Sequence, residues 1–286
     1  MRSFGETLLY TYARHFPVRR GKMRLVDALW PHVVAPDDTV RIAHLNRGGF
    51  EMRCDIRQFL QRQFYFFGTY WLEENVLKSW CNFASSAKVI LDVGANAGIF
   101  SLAALAAQPQ AIVHAFEPTP AIAQRLRETA RINRLHSLRV HEMAVMQKSG
   151  SALLNVCQGE YGTNDGMNFV THRAVCSAVM PITTTSIDDF CDREHINHVD
   201  CVKLDIQGNE AEALAGATRL LSRRGVGVIF MELNWAAAGE ERCPATECIR
   251  LLAEAGFLFA HPKTSPSFRS PGKWMRALNE AIAMPR

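Results

Sequence analysis

From Lys88 onward the chain repeats one rhythm: a short apolar run, a loop, then a stretch with helical spacing. "KVILDV", "AIVHAFE", "LRVHEMAV", "DCVKLD" and "VGVIFMEL" read as buried strands, and "FLFA" as a last one. "AGIFSLAALAA", "TPAIAQRLRETARINR", "EAEALAGATRLLS" and "ATECIRLLAEAG" read as the helices that alternate with them. Strands separated by helices pair in parallel, with helices on both faces. The expected fold is therefore α/β, built on a mostly parallel, doubly wound sheet. Thr119 stands at the N-cap of the second helix, with Pro120 at its first position. Residues 150–190 look like β-hairpin material ending in "ITTTSIDDF", where Ser186 can cap a short helix.

Residues 1–86 have a different texture. A basic start is followed by "DTVRIAHLNRGGFEMRCD", which alternates apolar and polar residues on both sides of "NRGG" and predicts a hairpin. "IRQFLQRQFYFFGTYWLEENVLKSW" then has helical spacing broken at Gly68. This region offers little core of its own and is expected to act as a lid or shoulder. Residues 87–262 form the ligand-binding domain, and 263–286, rich in Pro, Ser and basic residues, a C-terminal tail. The aromatic run Phe64, Tyr65, Phe66, Phe67, Tyr70, Trp71 is expected in the core, with stacking faces for a sugar as the alternative.

Composition narrows the function classes. "GIFSLAALAA" is far short of the roughly 20 apolar residues that a membrane span needs. No apolar block precedes a small-residue cleavage site in the first thirty residues, although the Arg-rich start has some likeness to an organelle presequence. The eight cysteines contain no CxxC pair, the tightest spacing being Cys243 to Cys248, so reduced thiols in a cytoplasmic protein are expected. A net charge of +4 does not indicate nucleic acid as a partner. Arg2, Arg14, Arg19, Arg20, Lys22 and Arg24 nevertheless face a single acid, Glu6, in the first 24 residues. They form a solvated helical face or a weak contact for an anionic surface. The oligomeric state stays open, a homodimer included.

In an open parallel sheet, ligands sit beyond the carboxyl ends of the strands where the strand order reverses. "VILDVGANAG" supplies that loop. A dinucleotide fingerprint needs a second glycine where Asn96 stands in Gly94-Ala95-Asn96-Ala97-Gly98, and no Gly-Lys-Ser/Thr follows for a P-loop. Asp92 would repel a pyrophosphate but attract an ammonium or sulfonium. S-adenosylmethionine has both, and its carboxylate suits the helix N-terminus opened by Gly98. Glu117, 23 residues after Gly94, ends the second strand where an acid accepts hydrogen bonds from two ribose hydroxyls; capping of the following helix is the alternative.

Together, "VILDVGANAGIFSLAA", "HAFEPTP", "AVMQKSG", "TTTSIDDF" and "VDCVKLDIQGNEAEALAGA" resemble the FkbM-type S-adenosylmethionine-dependent methyltransferases over roughly residues 70–233. The resemblance implies a Rossmann-like class I methyltransferase fold with seven strands, and O-methylation of a hydroxyl on a sugar, glycan or polyketide-type acceptor. It implies cofactor contacts at Asp92, Gly94, Ala95, Asn96, Gly98, Glu117, Pro118, Ala144, Val145 and Asp205. The chain departs from the family pattern after Ala144-Val145, where an acid is common and "MQK" stands instead.

An aliphatic hydroxyl is a poor nucleophile at neutral pH and needs a base as the new C–O bond forms. Asp205 is the first candidate for orienting the acceptor or taking its proton, with Glu210 and Glu232 beside it; the alternative for Asp205 is to hold backbone N–H groups around Gln207–Asn209. Asp205, Glu232 and Asn234 could also ligate Mg²⁺, but no supporting metal motif is present, and no metal is expected. His114 is expected in the core and His141 near the adenine edge. Two rival classes remain: an NAD(P)-linked oxidoreductase, disfavoured by Asp92, Asn96 and the lack of a Tyr-x-x-x-Lys pair, and a non-catalytic binding protein of the same fold, disfavoured by intact Asp92, Glu117 and Asp205.

Overall fold

Short helices and one hairpin make up the first part of the chain. Helices α1 (Phe4–His15) and α2 (Lys22–Val33) precede the antiparallel pair β1 (Val40–His44) and β2 (Glu51–Asp55), then α3 (Phe59–Phe67) and α4 (Glu74–Ala84). The computed structural model describes residues 2–17, 20–156, 158–159, 162–163, 169–171, 178–233, 244–260 and 280–285. The chain divides into two units, residues 1–74 and 75–286.

In the first unit the predicted hairpin forms, and Gly68 ends α3 in the left-handed conformation. Phe64, Tyr65, Phe66 and Phe67 are buried, which makes that part of the aromatic run core, while Tyr70 and Trp71 are half-buried. Their burial is accompanied by a polar cluster: the Tyr65 hydroxyl donates to Glu6 at 2.7 Å, and the Arg41 guanidinium grips the same carboxylate through Nε and Nη2. Burial pushes the Glu6 carboxyl up, but these partners outweigh it and hold the pKa below the usual range. The basic start is partly consumed inside the unit. Arg14 donates to Asn46 and to the His44 carbonyl, Lys22 to the carbonyls of Ala13 and Phe16, and Arg2 stacks on Tyr10. Arg19 lies outside the described residues.

The second unit contains the sheet. After α4, which belongs to this unit from Asn75 on, its strands and helices in chain order are β3 (Val89–Val93), α5 (Ile99–Ala107), β4 (Ile112–Phe116), α6 (Pro120–Ile132), β5 (Leu138–His141) and β6 (Ala144–Val145). There follow β7 (Gly150–Val156), β8 (Gln158–Gly159), β9 (Gly162–Thr163), β10 (Phe169–Thr171), β11 (Ala178–Thr185), α7 (Ile187–Arg193) and β12 (Val199–Leu204). The last elements are α8 (Glu210–Ala215), α9 (Thr218–Ser222), β13 (Val226–Glu232), α10 (Pro244–Glu254), β14 (Phe257–Ala260) and β15 (Glu280–Pro285).

Seven strands form the main sheet in the order β14-β15-β13-β12-β3-β4-β5. The five from β13 to β5 are parallel, and β15 runs antiparallel between β13 and β14. The order reverses at β3, with β12 on one side and β4 on the other, as the fourth predicted strand required. Leu91, Val93, Val202, Leu204, Ile229 and Met231 join the core on one face of the sheet.

Three local expectations change. "LRVHEMAV" is not one strand: β5 ends at His141, and Ala144–Val145 pairs in parallel with β11 in a second sheet of order β10-β7-β11-β6. Thr119 occupies the N-cap of α6, but its hydroxyl makes no capping bond and is buried without a hydrogen-bond partner. The tail includes β15, which supplies the strand between β13 and β14. "EAIAMP" contains a single β-branched residue, so intrinsic preference gave no strand signal there; Ala281, Ile282 and Ala283 are buried in a segment paired on both sides.

Candidate active site

The parallel strands β4, β3, β12 and β13 bring four loop-forming ends to one edge of the sheet. The loop after β3 is tied to β4, for the N–H groups of Gly94 and Ala95 both donate to the Phe116 carbonyl, at 3.0 and 2.9 Å. On the other side the Asp205 N–H donates to the Val93 carbonyl at 3.1 Å. Gly94 has φ +79°, and a Cβ there would lie 2.0 Å from the Asp205 carbonyl oxygen. The two loops therefore touch through backbone, which only glycine allows. Gly98 is the N-cap of α5, and Asn96 also adopts a positive φ.

Glu117 closes this loop from the β4 side. One carboxylate oxygen accepts the Asn96 N–H at 3.0 Å and the other the Thr119 N–H at 2.8 Å. The acid thus does what the capping alternative required, in place of the silent Thr119 side chain. Each carboxylate oxygen of Glu117 holds one backbone N–H of the loop or of the following turn. Pro118 follows in the same turn, half-buried, while Ala144 and Val145 are buried in the second sheet.

Asp92 is buried on β3, where Ser101 Oγ of α5 donates to Oδ2 at 2.6 Å. Burial raises its pKa to about 6, against the pull of Ser101 and Lys203. Lys203 stands opposite it in register on β12. Though buried, Lys203 extends Nζ to Asp205 Oδ2 at 3.2 Å and lies 4.7 Å from the Phe100 ring centroid. The sequence reading missed this lysine. Its signal was present: a single cation inside "VDCVKL", two residues from Asp205 and so on the same strand face, must have an acidic partner when buried.

Asp205 and Glu232 form a coupled pair. Gln207, at φ +55°, donates Nε2 to Asp205 Oδ1 at 3.2 Å and to Glu232 Oε2 at 3.3 Å. Burial pushes Asp205 up, but the Lys203 charge and hydrogen bond, with those of Glu232 and Gln207, outweigh it and leave it below the ordinary range. Burial and then the Asp205 charge push Glu232 up to about 8. These shifts favour a single proton on the pair at neutral pH, with Glu232 the side that more readily holds it. Glu210 is oriented differently. Its carboxylate is buried and accepts the N–H groups of Ile206 and Gly208 at 3.0 Å each, so it holds its own loop. Asn209 ties the same loop to the Val170 carbonyl of the second sheet.

His114 and His141 are brought together with Nδ1 and Nε2 3.0 Å apart, packed against Phe190. Burial foremost lowers both to about 4, so both rings are neutral at pH 7. Among the described residues no group of three or more His, Cys, Asp or Glu could hold a metal ion. Asn234 lies outside the described residues.

The Glu232 shift gives a pH dependence. A carboxyl with a folded-state pKa above its unfolded value stabilises fully below the unfolded value and loses that contribution as pH rises through the folded one. For Glu232 the window runs from 4.5 to about 8. Glu232→Gln should therefore gain on the parent protein as pH rises through it. By pH 8 it should melt at least about 2–4 °C higher, the shift that 1 kcal/mol produces in a domain of this size. Equal melting curves across that range would show that Glu232 ionises normally.

A sheet reversing at β3, a glycine loop on its carboxyl edge and acids at the ends of β4, β12 and β13 define a Rossmann-like class I methyltransferase. The FkbM methyltransferase domain matches residues 92–259, more than half of the chain, and the protein belongs to that family. It is an S-adenosylmethionine-dependent methyltransferase. The chain is 27% identical to the 2-O-methyltransferase NoeI of Sinorhizobium fredii over 186 residues, 61% of this chain and 75% of that protein. It is 28% identical to the hexuronic acid methyltransferase AglP of Haloferax volcanii over 191 residues, 64% of this chain and 69% of that one. Likeness to solved structures is more distant, as with a precorrin-6y C5,15-methyltransferase from Geobacter metallireducens: TM-score 0.41, 14% identity, 74% of this chain and 89% of that one.

The residues at this edge fit the cofactor. The acid Glu117 at the end of β4 and the buried, unpartnered Thr119 hydroxyl lie around the loop that Gly94 opens.

Proposed function

We propose that the acceptor is a sugar or glycan hydroxyl, that Asp205 orients it and takes its proton, and that Glu232, protonated beside it, helps to orient the same hydroxyl. The observation that supports this reading is the Lys203–Asp205–Gln207–Glu232 chain beside the switch point, which keeps one carboxylate charged next to one protonated carboxyl. One relative is a hexuronic acid methyltransferase, which favours a sugar over a polyketide alcohol, and the other is a 2-O-methyltransferase, which favours oxygen as the atom methylated.

S-adenosylmethionine supplies a methyl group on a sulfonium for in-line displacement by the acceptor oxygen. A hydroxyl oxygen that gains a methyl becomes a strongly acidic oxonium, so even the weakly basic Asp205 carboxylate can accept its proton. In this reading Gly94, Ala95, Asn96 and Gly98 shape the cofactor loop, Glu117 and Pro118 face the ribose, and Ala144–Val145 border the adenine. Asp92 acts from beneath the loop through its charge. Glu210 fixes the loop that presents Asp205 and Gln207.

A hexuronic acid offers a carboxylate as well as hydroxyls, and a carboxylate acceptor needs no base. Mass spectrometry after incubation with nucleotide sugars, hexuronic acid glycosides and polyketide alcohols tests both points. A methyl group gained by the sugars and stable to mild alkali is the expected result. Alkali-labile methyl would mean ester formation, and methylation of polyketide alcohols alone would overturn the sugar assignment.

Glu117→Ala tests the cofactor side. It removes a charge-assisted acceptor, with each such bond contributing roughly 1.5–3 kcal/mol. Calorimetry should show at least about a tenfold weaker affinity for S-adenosylhomocysteine. An unchanged affinity would leave Glu117 a loop clamp alone.

A further inference from the structure

We infer that the α1–α2 hairpin is a docking surface for an anionic lipid bilayer, gripping it with leucine and phenylalanine side chains and with arginines. The two helices run antiparallel. At one end Ser3 Oγ donates to the Val33 carbonyl at 2.7 Å, and at the other Lys22 Nζ reaches the Ala13 carbonyl at 3.1 Å. Gly5 faces Val33 so closely that a Cβ there would lie 3.0 Å from Val33 Cγ1.

That contact fixes which flanks meet at the surface. Leu9 and Ala13 of α1, and Val26 and Trp30 of α2, point to the core. At about 100° per residue, Phe4 and Leu8 lie on the solvent flank of Gly5, and Leu25 and Leu29 on the solvent flank of Val33. The four border one seam. Phe4 is 82% exposed, Leu8 56%, Leu25 42% and Leu29 40%. Isolated exposed apolar side chains are ordinary, but four along one helical seam are not isolated.

Charge selects the occupant. Between residues 2 and 34 the acids are Glu6 and Asp27. Glu6 is buried under Arg41, and Asp27 accepts from Arg62 Nε at 2.8 Å. Arg20 and Arg24 are exposed on or between the helices. An apolar seam edged by cations and without an unpaired acid suits the interface of an anionic bilayer. A second copy of the same face would oppose arginine to arginine, which disfavours a symmetric pair. No helix among the described residues is long and apolar enough to cross a membrane, so the contact is peripheral.

Cosedimentation of the full chain with vesicles tests this. The protein should partition onto phosphatidylglycerol–phosphatidylcholine vesicles, weakly onto phosphatidylcholine alone, and less as salt screens the charges. Leu8→Ser combined with Leu29→Ser should lower partitioning at least about tenfold, since full burial of a leucine is a factor of roughly ten or more and each of these two has about half of its surface left to bury. Arg24→Glu should lower it at least about fivefold, the effect of one cation at an anionic surface. Thermal melting checks the fold; if the double variant melts early, Arg24→Glu alone decides. No binding, equal binding to neutral vesicles, or unchanged binding of the variants would overturn the inference. So would self-association abolished by the leucine changes, because the occupant would then be another copy.

Discussion

Asp205→Asn should lower turnover by about 10²–10⁴-fold, the usual contribution of a general base. Affinity for S-adenosylhomocysteine should hardly move. Asparagine keeps the size and can still bond Gln207, but it has no basicity and no charge for Lys203, which now donates to Oδ2 at 3.2 Å. The pH–rate profile carries the sharper information. In the parent protein Asp205 is ionised below the ordinary carboxylate range and Glu232 holds its proton up to about 8, so the activity limbs belong to the pair. Asp205→Asn removes the Asp205 charge that helps raise Glu232, and the upper limb should shift to lower pH. Near-full turnover at saturating acceptor would remove Asp205 from the proton path and favour a carboxylate acceptor. Collapse of the parent activity in EDTA with recovery in Mg²⁺ would instead favour a metal at Asp205 and Glu232.

The sheet was legible because its strands are short apolar runs separated by helices, and that pattern admits few alternatives. β15 was not, because "EAIAMP" is a strand only by virtue of its two neighbours. The break between His141 and Ala144 was hidden for a related reason: apolar residues on both sides suit a strand in either sheet. In the site, the places of Gly94 and Asp205 followed from position, one opening the loop after the first predicted strand and the other following the fourth. The division of labour between Asp205 and Glu210 did not. Two acids five residues apart look alike in a sequence, and only the loop's fold turns Glu210 toward the N–H groups of Ile206 and Gly208. Glu117 shows the limit of the sequence from another side: an acid that ends a strand can cap the next turn or meet a ligand, and only the fold shows that it takes the N–H groups of Asn96 and Thr119.

Lys203→Met should destabilise the protein by roughly 1–3 kcal/mol, less than the cost of breaking a fully buried ion pair because Asp205 is partly exposed. A melting temperature lower by about 2–12 °C follows for a domain of this size. Methionine fits the stem beside Phe100, so packing loss is the smaller part, and the larger is the charge left at Asp205 and, across the strands, at Asp92. Two readouts separate that charge effect from general damage. The acid limb of the pH–rate profile should move to higher pH, because Asp205 loses the cation that keeps it ionised against its burial. Adding Asp205→Asn to Lys203→Met should restore part of the lost stability, since the uncompensated carboxylate is then gone and contacting residues do not add. If the single variant melts like the parent, or if the second substitution lowers stability further, Lys203 is not the counter-ion of this site and Asp205 must be held ionised by some other group.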